Sequence, residues 1–295
     1  MWKPERLYSQ NFEDLYLWRV FNEKSKGFYI DVGAQEHDVD NITKIFYDQG
    51  WRGINIEPSP NLFRQLKKNR ENDTNLSVAA FNKSSIQKFN TYGSSGLGSL
   101  KSFHEVNIQE HFLREKEVID VQTASLFEII NTYCNFPNID FIKIDVEGSE
   151  KEVLEGIHFE KLDICKHPRI IVIEVNSPNS RIISSQKADC QHILQNADYT
   201  CFFFDGLNEY YCKNKDKKNL EGITLPPNVF DEIVMTPSEI LKSQTNNHKK
   251  FLNKNETIKN LSNKLNEHIA LCNEKEEKIE ELINKNKEGS NKLNE

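Results

Sequence analysis

"GFYIDVGAQEHDVDNITKIF", residues 27–46, decides the fold. Phe28, Tyr29 and Ile30 form a short apolar run, Asp31-Val32-Gly33-Ala34 follows, and Ile42, Ile45 and Phe46 then recur at helical spacing. A strand that delivers an acid and a glycine into a turn before a helix places a ligand beyond the strand's carboxyl end. Dinucleotide binders carry three glycines at such a turn, and this one carries a single glycine.

The unit repeats along the chain. Strands are predicted at Phe28–Val32, 53–57, 76–81, 141–146, 170–175 and 201–204, and helices at 41–49, 62–71, 125–133, Glu150–Glu155 and Lys187–Asn196. Asp40 or Asn41 is the expected N-cap of the first helix, and Ser59 or Asn61 that of the second. "FIKIDV" and "RIIVIEV" are nearly continuous apolar runs, as strands covered on both faces require. The alternation predicts an α/β fold, a Rossmann-like doubly wound and mostly parallel sheet. Segments 200–212 and 229–235 are expected to add an antiparallel edge pair, while 82–120 and 176–186 read as loops.

Residues 1–240 form the expected globular domain, and 241–295 differ in kind. Ile258, Leu265, Cys272, Ile279 and Leu293 keep a seven-residue register, with Leu261 and Leu282 at intermediate positions. His268 and Lys275 interrupt that second row, so the tail predicts a helix that forms an imperfect coiled coil or remains a solvated linker. Its expected use is self-association or capture of a partner.

Net charge is −7, and the body before the tail holds 27 basic against 36 acidic residues. Such an acidic body makes nucleic acid an unsuitable partner, because phosphate contacts need clustered cations. The local basic run 64–70 reads as a solvated helix face. Six scattered cysteines include no CxxC pair, which points to reduced, structural thiols. No apolar run has the length of a membrane span, and the first residues lack a signal peptide's apolar core, so the expected location is the cytoplasm.

Four strand ends carry the candidate site. The first offers Asp31, Gly33 and Ala34, with Gly33 expected to let the backbone approach a ligand closely. The second, "GINIEPSP", offers Glu57 and Pro58; a carboxylate there commonly holds two ribose hydroxyls. The third brings Ala79, small enough to flank a purine, and the fourth, "KIDVEGSE", brings Asp145 and Glu147. The chain has neither GxGxxG nor GxxxxGK[ST], which argues against a bound pyrophosphate and against P-loop phosphoryl transfer. A nucleoside ligand without phosphates fits better, and S-adenosylmethionine is the usual one.

The blocks "YSQNFEDLYL" (8–17), "GFYIDVGAQEHDVDNITKIFYDQGWRGINIEPSPNLF" (27–63), "GLGSL" (96–100), "DFIKIDVEGSEKEVLEGI" (140–157) and "DGLNEYY" (205–211) resemble the FkbM family of S-adenosylmethionine-dependent methyltransferases. They run in family order over residues 7–212. The resemblance implies methylation of a hydroxyl on a sugar, glycan or natural product. It implies that Asp31 and Gly33 meet the methionine end of the cofactor, that Glu57 holds the ribose, and that Asp145 lies beside the transferring methyl. It also implies an N-terminal helix over the cofactor, with Gln10 and Asp14 facing inward. The family often has Asn at position 35 and His at position 149, where this chain has Gln35 and Ser149.

Methyl transfer needs an aligned acceptor oxygen and a group that takes its proton. Asp145 is the first candidate and Glu147 the second, ahead of the loop histidines His37 and His104. A Mg²⁺ ion on Asp145, Glu147 and Glu174 ranks below a metal-free site. The segment 94–99 is a candidate lid. Two competing readings are a catalytically inactive assembly module working through its tail and an NAD-linked sugar-modifying oxidoreductase.

Overall fold

The computed structural model describes residues 2–4, 6–92, 98–101, 116–176 and 183–231. The first half comprises α1 (Glu13–Phe21), β1 (Phe28–Val32), α2 (Lys44–Asp48), β2 (Arg52–Ile56), α3 (Pro60–Asn69), β3 (Thr74–Leu76), β4 (Ala79–Ala80), β5 (Ser85–Tyr92) and β6 (Gly98–Ser99). The second comprises β7 (Lys116–Ala124), α4 (Leu126–Tyr133), β8 (Phe141–Ile144), α5 (Glu150–Glu155), β9 (Ile170–Glu174), α6 (Lys187–Asn196), β10 (Tyr199–Phe204) and β11 (Asn208–Lys213). All belong to one unit, Met1–Ile233. The tail reading, His104 and Cys272 lie outside the described residues.

Seven strands form the main sheet in the order β10-β11-β9-β8-β1-β2-β3. Strands β1, β2, β3, β8 and β9 are parallel, and β11 and β10 finish the edge antiparallel. The chain leaves β1 toward β2 and β3, then returns to β8 on the other side of β1. These two strands therefore flank the switch point, and the crevice beyond their carboxyl ends is where such sheets bind ligands.

Alternation along each strand divides the side chains between two layers. Ile30, Val32, Ile142, Ile144 and Ile171 pack with Leu126 and Ile130 of α4, Val153 of α5 and Leu194 of α6. Tyr29, Phe141, Val172 and Tyr210 pack with Leu15, Trp18 and Phe21 of α1 and Ile45 and Phe46 of α2. Full burial of one such side chain contributes roughly 1.5–3 kcal/mol, so the layers, more than helix propensity, hold helices as short as α2 and α5. On the second face, alternation carries Asp31 and Lys143 to the inward position, where they pair in register. α4 starts at a reciprocal cap: Ser125 Oγ accepts the Glu128 amide, and the Glu128 carboxylate accepts the Ser125 amide.

Several sequence expectations need correction. The predicted strand 76–81 is two strands, because β4 belongs to a second sheet of order β4-β7-β5-β6. That sheet was hidden in the supposed loop 82–120: β5 and β7 bury only one face, with Phe89 and Val121 inward, and so lack a continuous apolar run. The antiparallel edge is the β10–β11 hairpin, turned at Gly206 with φ +101, and Val229–Asp231 is a 3₁₀ turn instead. α2 begins after Thr43, because the Asn41 side chain is occupied in holding the Ala34 and Glu36 carbonyls. Ser59 precedes α3 as expected, but through Pro60 at the first helical position and without a side-chain cap. Arg70 is fully buried, unlike the rest of a solvated face.

Candidate active site

The turn after β1 is built by backbone contact. Gly33 has φ +75, and a Cβ on it would overlap the Asp145 carbonyl oxygen. Its amide donates to Ile56 O at 3.0 Å, and the Asp145 amide donates to Val32 O at 3.1 Å. The glycine is thus required by the junction of β1 with β8 and by its left-handed backbone, which differs from the expected close approach of a ligand.

Around that junction a cleft is lined by Gly33 and Gln35 after β1, Glu57 and Pro58 after β2, Ala79 of β4, and Asp145, Glu147 and Ser149 after β8. Phe89, Gly98 and Leu100 close it from the second sheet. Its volume is about 460 Å³ counted to its open mouth. Of the sequence candidates, Gly33, Glu57, Pro58, Ala79, Asp145 and Glu147 meet there. Asp31 and Ala34 are buried beneath it and are not among its lining residues. A larger cavity, about 2170 Å³ counted the same way, opens at the amino ends of the parallel strands beside Asp140, Arg169 and Lys213, away from the strand carboxyl ends.

Glu57 is buried, and each carboxylate oxygen already has a partner: Oε2 accepts Gln35 N–H at 2.9 Å and Oε1 accepts Ser59 N–H at 2.7 Å. A carboxylate offers about four lone-pair sites, so both oxygens keep capacity for a ligand's hydroxyls. Burial pushes its pKa up to about 7, against the opposing pull of the two amides and Lys143.

Lys143, a cation inside an otherwise apolar strand, organises the other acids. Its Nζ donates to Gly33 O at 2.7 Å and lies 3.5 Å from Asp31 Oδ1 and 3.4 Å from Asp145 Oδ2. Burial alone would lower the ammonium's pKa; Asp145 and Asp31 more than offset this and hold it above the usual value. Beyond Lys143 stand further acids, Glu147, Glu150 and Glu174. Glu174, at the end of β9, is pushed up by burial and by the neighbouring charge of Asp145, and Glu147 by burial and by Asp145 and Glu150. Glu147 takes φ +55, a left-handed conformation uncommon for a side chain of its kind, and Glu150 Oε1 braces that turn through the Gly148 amide at 2.9 Å. Asp145 Oδ1 and Ser149 Oγ are buried with no hydrogen-bond partner among the described residues. No cluster of three or more His, Cys, Asp or Glu among the described residues is arranged to hold a metal ion.

The N-terminal expectation is only partly met. Asp14 is buried, but it folds back on the amides of Tyr8 at 2.7 Å and Leu15 at 2.9 Å, and Gln10 is exposed. The blocks "YSQNFED" and "DGLNEYY" meet instead: Asn208 Nδ2 donates to Glu13 Oε1 at 3.0 Å and to Asp205 Oδ2 at 3.2 Å. They fasten α1 to the β10–β11 hairpin. Of the segment 94–99, Gly98 and Ser99 form β6, and Ser99 Oγ donates to Glu147 O at 2.9 Å; the rest lies outside the described residues.

Sequence reasoning missed Lys143, Phe89 and Leu100, and set Gln35 and Ser149 aside. A lysine within "FIKIDV" was the available signal for the first. Phe89 and Leu100 had none, because their sheet went unrecognised.

Residues 31–201 match the family model described as "Methyltransferase FkbM domain". No curated protein matches the chain. Similar solved structures include a precorrin-6y C5,15-methyltransferase from Geobacter metallireducens, at 11% identity and TM-score 0.34, covering 68% of this chain and 76% of that one. A TehB-like SAM-dependent methyltransferase from Corynebacterium glutamicum is 10% identical with TM-score 0.37, covering 71% and 89%. The 1,6-didemethyltoxoflavin-N1-methyltransferase from Burkholderia thailandensis, solved with that substrate and S-adenosylhomocysteine, is 9% identical with TM-score 0.33, covering 69% and 77%. Because the family match spans more than half of its length, the chain belongs to the FkbM family of methyltransferases.

Proposed function

We propose that this chain transfers the methyl group of S-adenosylmethionine to a hydroxyl of a sugar, glycan or natural-product acceptor. The observation that carries the reading is the cleft at the switch point, where Glu57 keeps free lone pairs and Asp145 Oδ1 and Ser149 Oγ are buried without partners among the described residues. These are the polar groups a nucleoside and an acceptor hydroxyl would satisfy. Ala79, Phe89 and Leu100 supply an apolar wall suited to a purine. The donor set fits the cofactor.

When bound, S-adenosylmethionine supplies an electrophilic methyl on a sulfonium, and the chain supplies the rest. Glu57 holds the ribose hydroxyls, and its two backbone bonds fix the carboxylate's orientation. Lys143 faces Asp145 and holds it aimed from the strand end. Asp145 takes the acceptor hydroxyl's proton through Oδ1 as the new O–C bond forms. Glu147, on its strained turn, is the second candidate for that proton.

The test is methyl transfer from labelled S-adenosylmethionine into fractionated cell extracts and a panel of sugars. Label should enter a base-stable O-methyl product, and Asp145→Ala should abolish it while cofactor binding persists. Unchanged transfer by Asp145→Ala removes its assigned role, and label found on nitrogen or carbon overturns the hydroxyl acceptor.

A further inference from the structure

Arg70 caps the end of α3 and is completely buried, although it closes a basic run. Its five N–H groups meet five acceptors. Nε donates to Asp73 Oδ2 at 3.1 Å, Nη1 to His37 O and Asn41 Oδ1, each at 3.2 Å, and Nη2 to Tyr29 Oη at 2.7 Å and Thr43 Oγ1 at 2.9 Å. No donor of the guanidinium is left over.

One arm of this hub leads to the cleft. Thr43 is buried, and its hydroxyl lies 3.0 Å from both Asp31 Oδ2 and Asn41 Oδ1. The single hydroxyl proton goes to Asp31, because Asn41 Oδ1 already accepts from Arg70 Nη1 and from the Thr43 amide at 3.1 Å, and a carboxylate is the stronger acceptor. Asp31 faces Lys143, which binds Gly33 O and faces Asp145. Charges therefore alternate from the end of α3 to the wall of the cleft: Asp73, Arg70, Asp31, Lys143, Asp145. Asn41 ties the same hub to the turn, donating to Ala34 O at 3.2 Å and Glu36 O at 2.9 Å.

We propose that Arg70 and Thr43 are positioning residues for the cofactor cleft, acting through Asp31 and Lys143 on the Gly33 turn and on Asp145. Neither is among the residues lining the cleft. The Asp73 and Tyr29 contacts would anchor the guanidinium to the sheet by themselves. The arm through Thr43 reaches beyond that anchorage, because it fixes an acid in register with Lys143. Buried ionic networks are weak sources of stability, and their better-attested use is to specify one arrangement.

The inference rests on the cofactor reading, and the experiment separates the two. Calorimetric titration of the full chain with S-adenosylhomocysteine is made well below the melting temperature of each variant. Thr43→Val keeps the side-chain shape and removes the hydroxyl. Loss of a hydrogen bond to a charged group corresponds to roughly 10–100-fold; acting through intermediaries, Thr43→Val should weaken binding about tenfold. Thr43→Ser restores the hydroxyl without the methyl and should bind within about twofold of wild type. Arg70→Lys cannot serve five acceptors and should weaken binding as well. A merely packing role for Thr43 reverses the order, with Ser the worse variant and Val benign. Wild-type binding with Thr43→Val unchanged, or with Ser as poor as Val, overturns the inference alone. No binding by wild type at millimolar concentration overturns the cofactor reading and the inference with it.

Discussion

Replacing Lys143 by Met should be the most damaging conservative-volume change in the sheet. The ammonium stands between two acids, 3.5 Å from Asp31 and 3.4 Å from Asp145, and fills the Gly33 carbonyl at 2.7 Å. Methionine occupies a similar volume but supplies no charge and no donor. Asp31 and Asp145 are then left facing each other across β1 and β8 without the intervening cation. Breaking a buried pair by removing one partner costs about 3–5 kcal/mol, which for a unit of this size lowers the melting temperature by roughly 6–20 °C. Urea unfolding followed by fluorescence of the buried Trp18 and Trp51 measures the loss. The double variant Lys143→Met/Asp145→Asn should be less unstable than the sum of its parts, by roughly 0.5–3 kcal/mol, since removing one acid relieves what the lysine no longer neutralises. A Lys143→Met loss below about 1 kcal/mol, or strict additivity in the cycle, would refute this account of the charges.

Three further outcomes follow from the same geometry. Gly33→Ala forces a side chain into a left-handed backbone, costing roughly 1–2 kcal/mol, and into the Asp145 carbonyl besides, so thermal stability and cofactor binding should both fall; an unaltered melt would contradict the close β1–β8 junction. Glu57 holds its proton more tightly when folded, since burial raises it from an ordinary 4.5 to about 7. Its contribution is fully present below pH 4.5 and is lost as pH rises through about 7, so urea midpoints should decline over that window and Glu57→Gln should flatten the decline. Asn208→Ala should loosen α1 from the β10–β11 hairpin, leaving Glu13 Oε1 buried without its donor while Oε2 keeps the Asn11 amide; protection of α1 amides from hydrogen exchange should drop by roughly tenfold or more, and unchanged protection would show that the apolar layer alone seats the helix.

The parallel core was legible because both its faces are covered. Strands such as "RIIVIEV" show this as continuous apolar runs, and the acids at their ends then fall at one crevice. The second sheet was not legible: "SIQKFNTY" and "KEVIDVQTA" bury one face each, and their polar alternates read as loop. That omission concealed the Phe89 and Leu100 wall of the cleft. Gly33, Glu57 and Asp145 were found from strand-end position alone, but the physical reason for Gly33 was visible only once β1 and β8 lay side by side. Arg70 shows the opposite failure. A lone arginine in a basic run carries no local sign that five acceptors from 29 to 73 converge on it, because that convergence is a property of the tertiary structure.

The central claim is that the cleft at the β1–β8 switch point binds S-adenosylmethionine through Glu57. Calorimetric titration with S-adenosylhomocysteine, alongside NAD, tests it on the wild-type chain and on Glu57→Ala. The account predicts binding of the former and not of NAD by wild type, with at least a tenfold loss in Glu57→Ala while the chain stays folded. Equal binding by both proteins, or a preference for NAD, would contradict it.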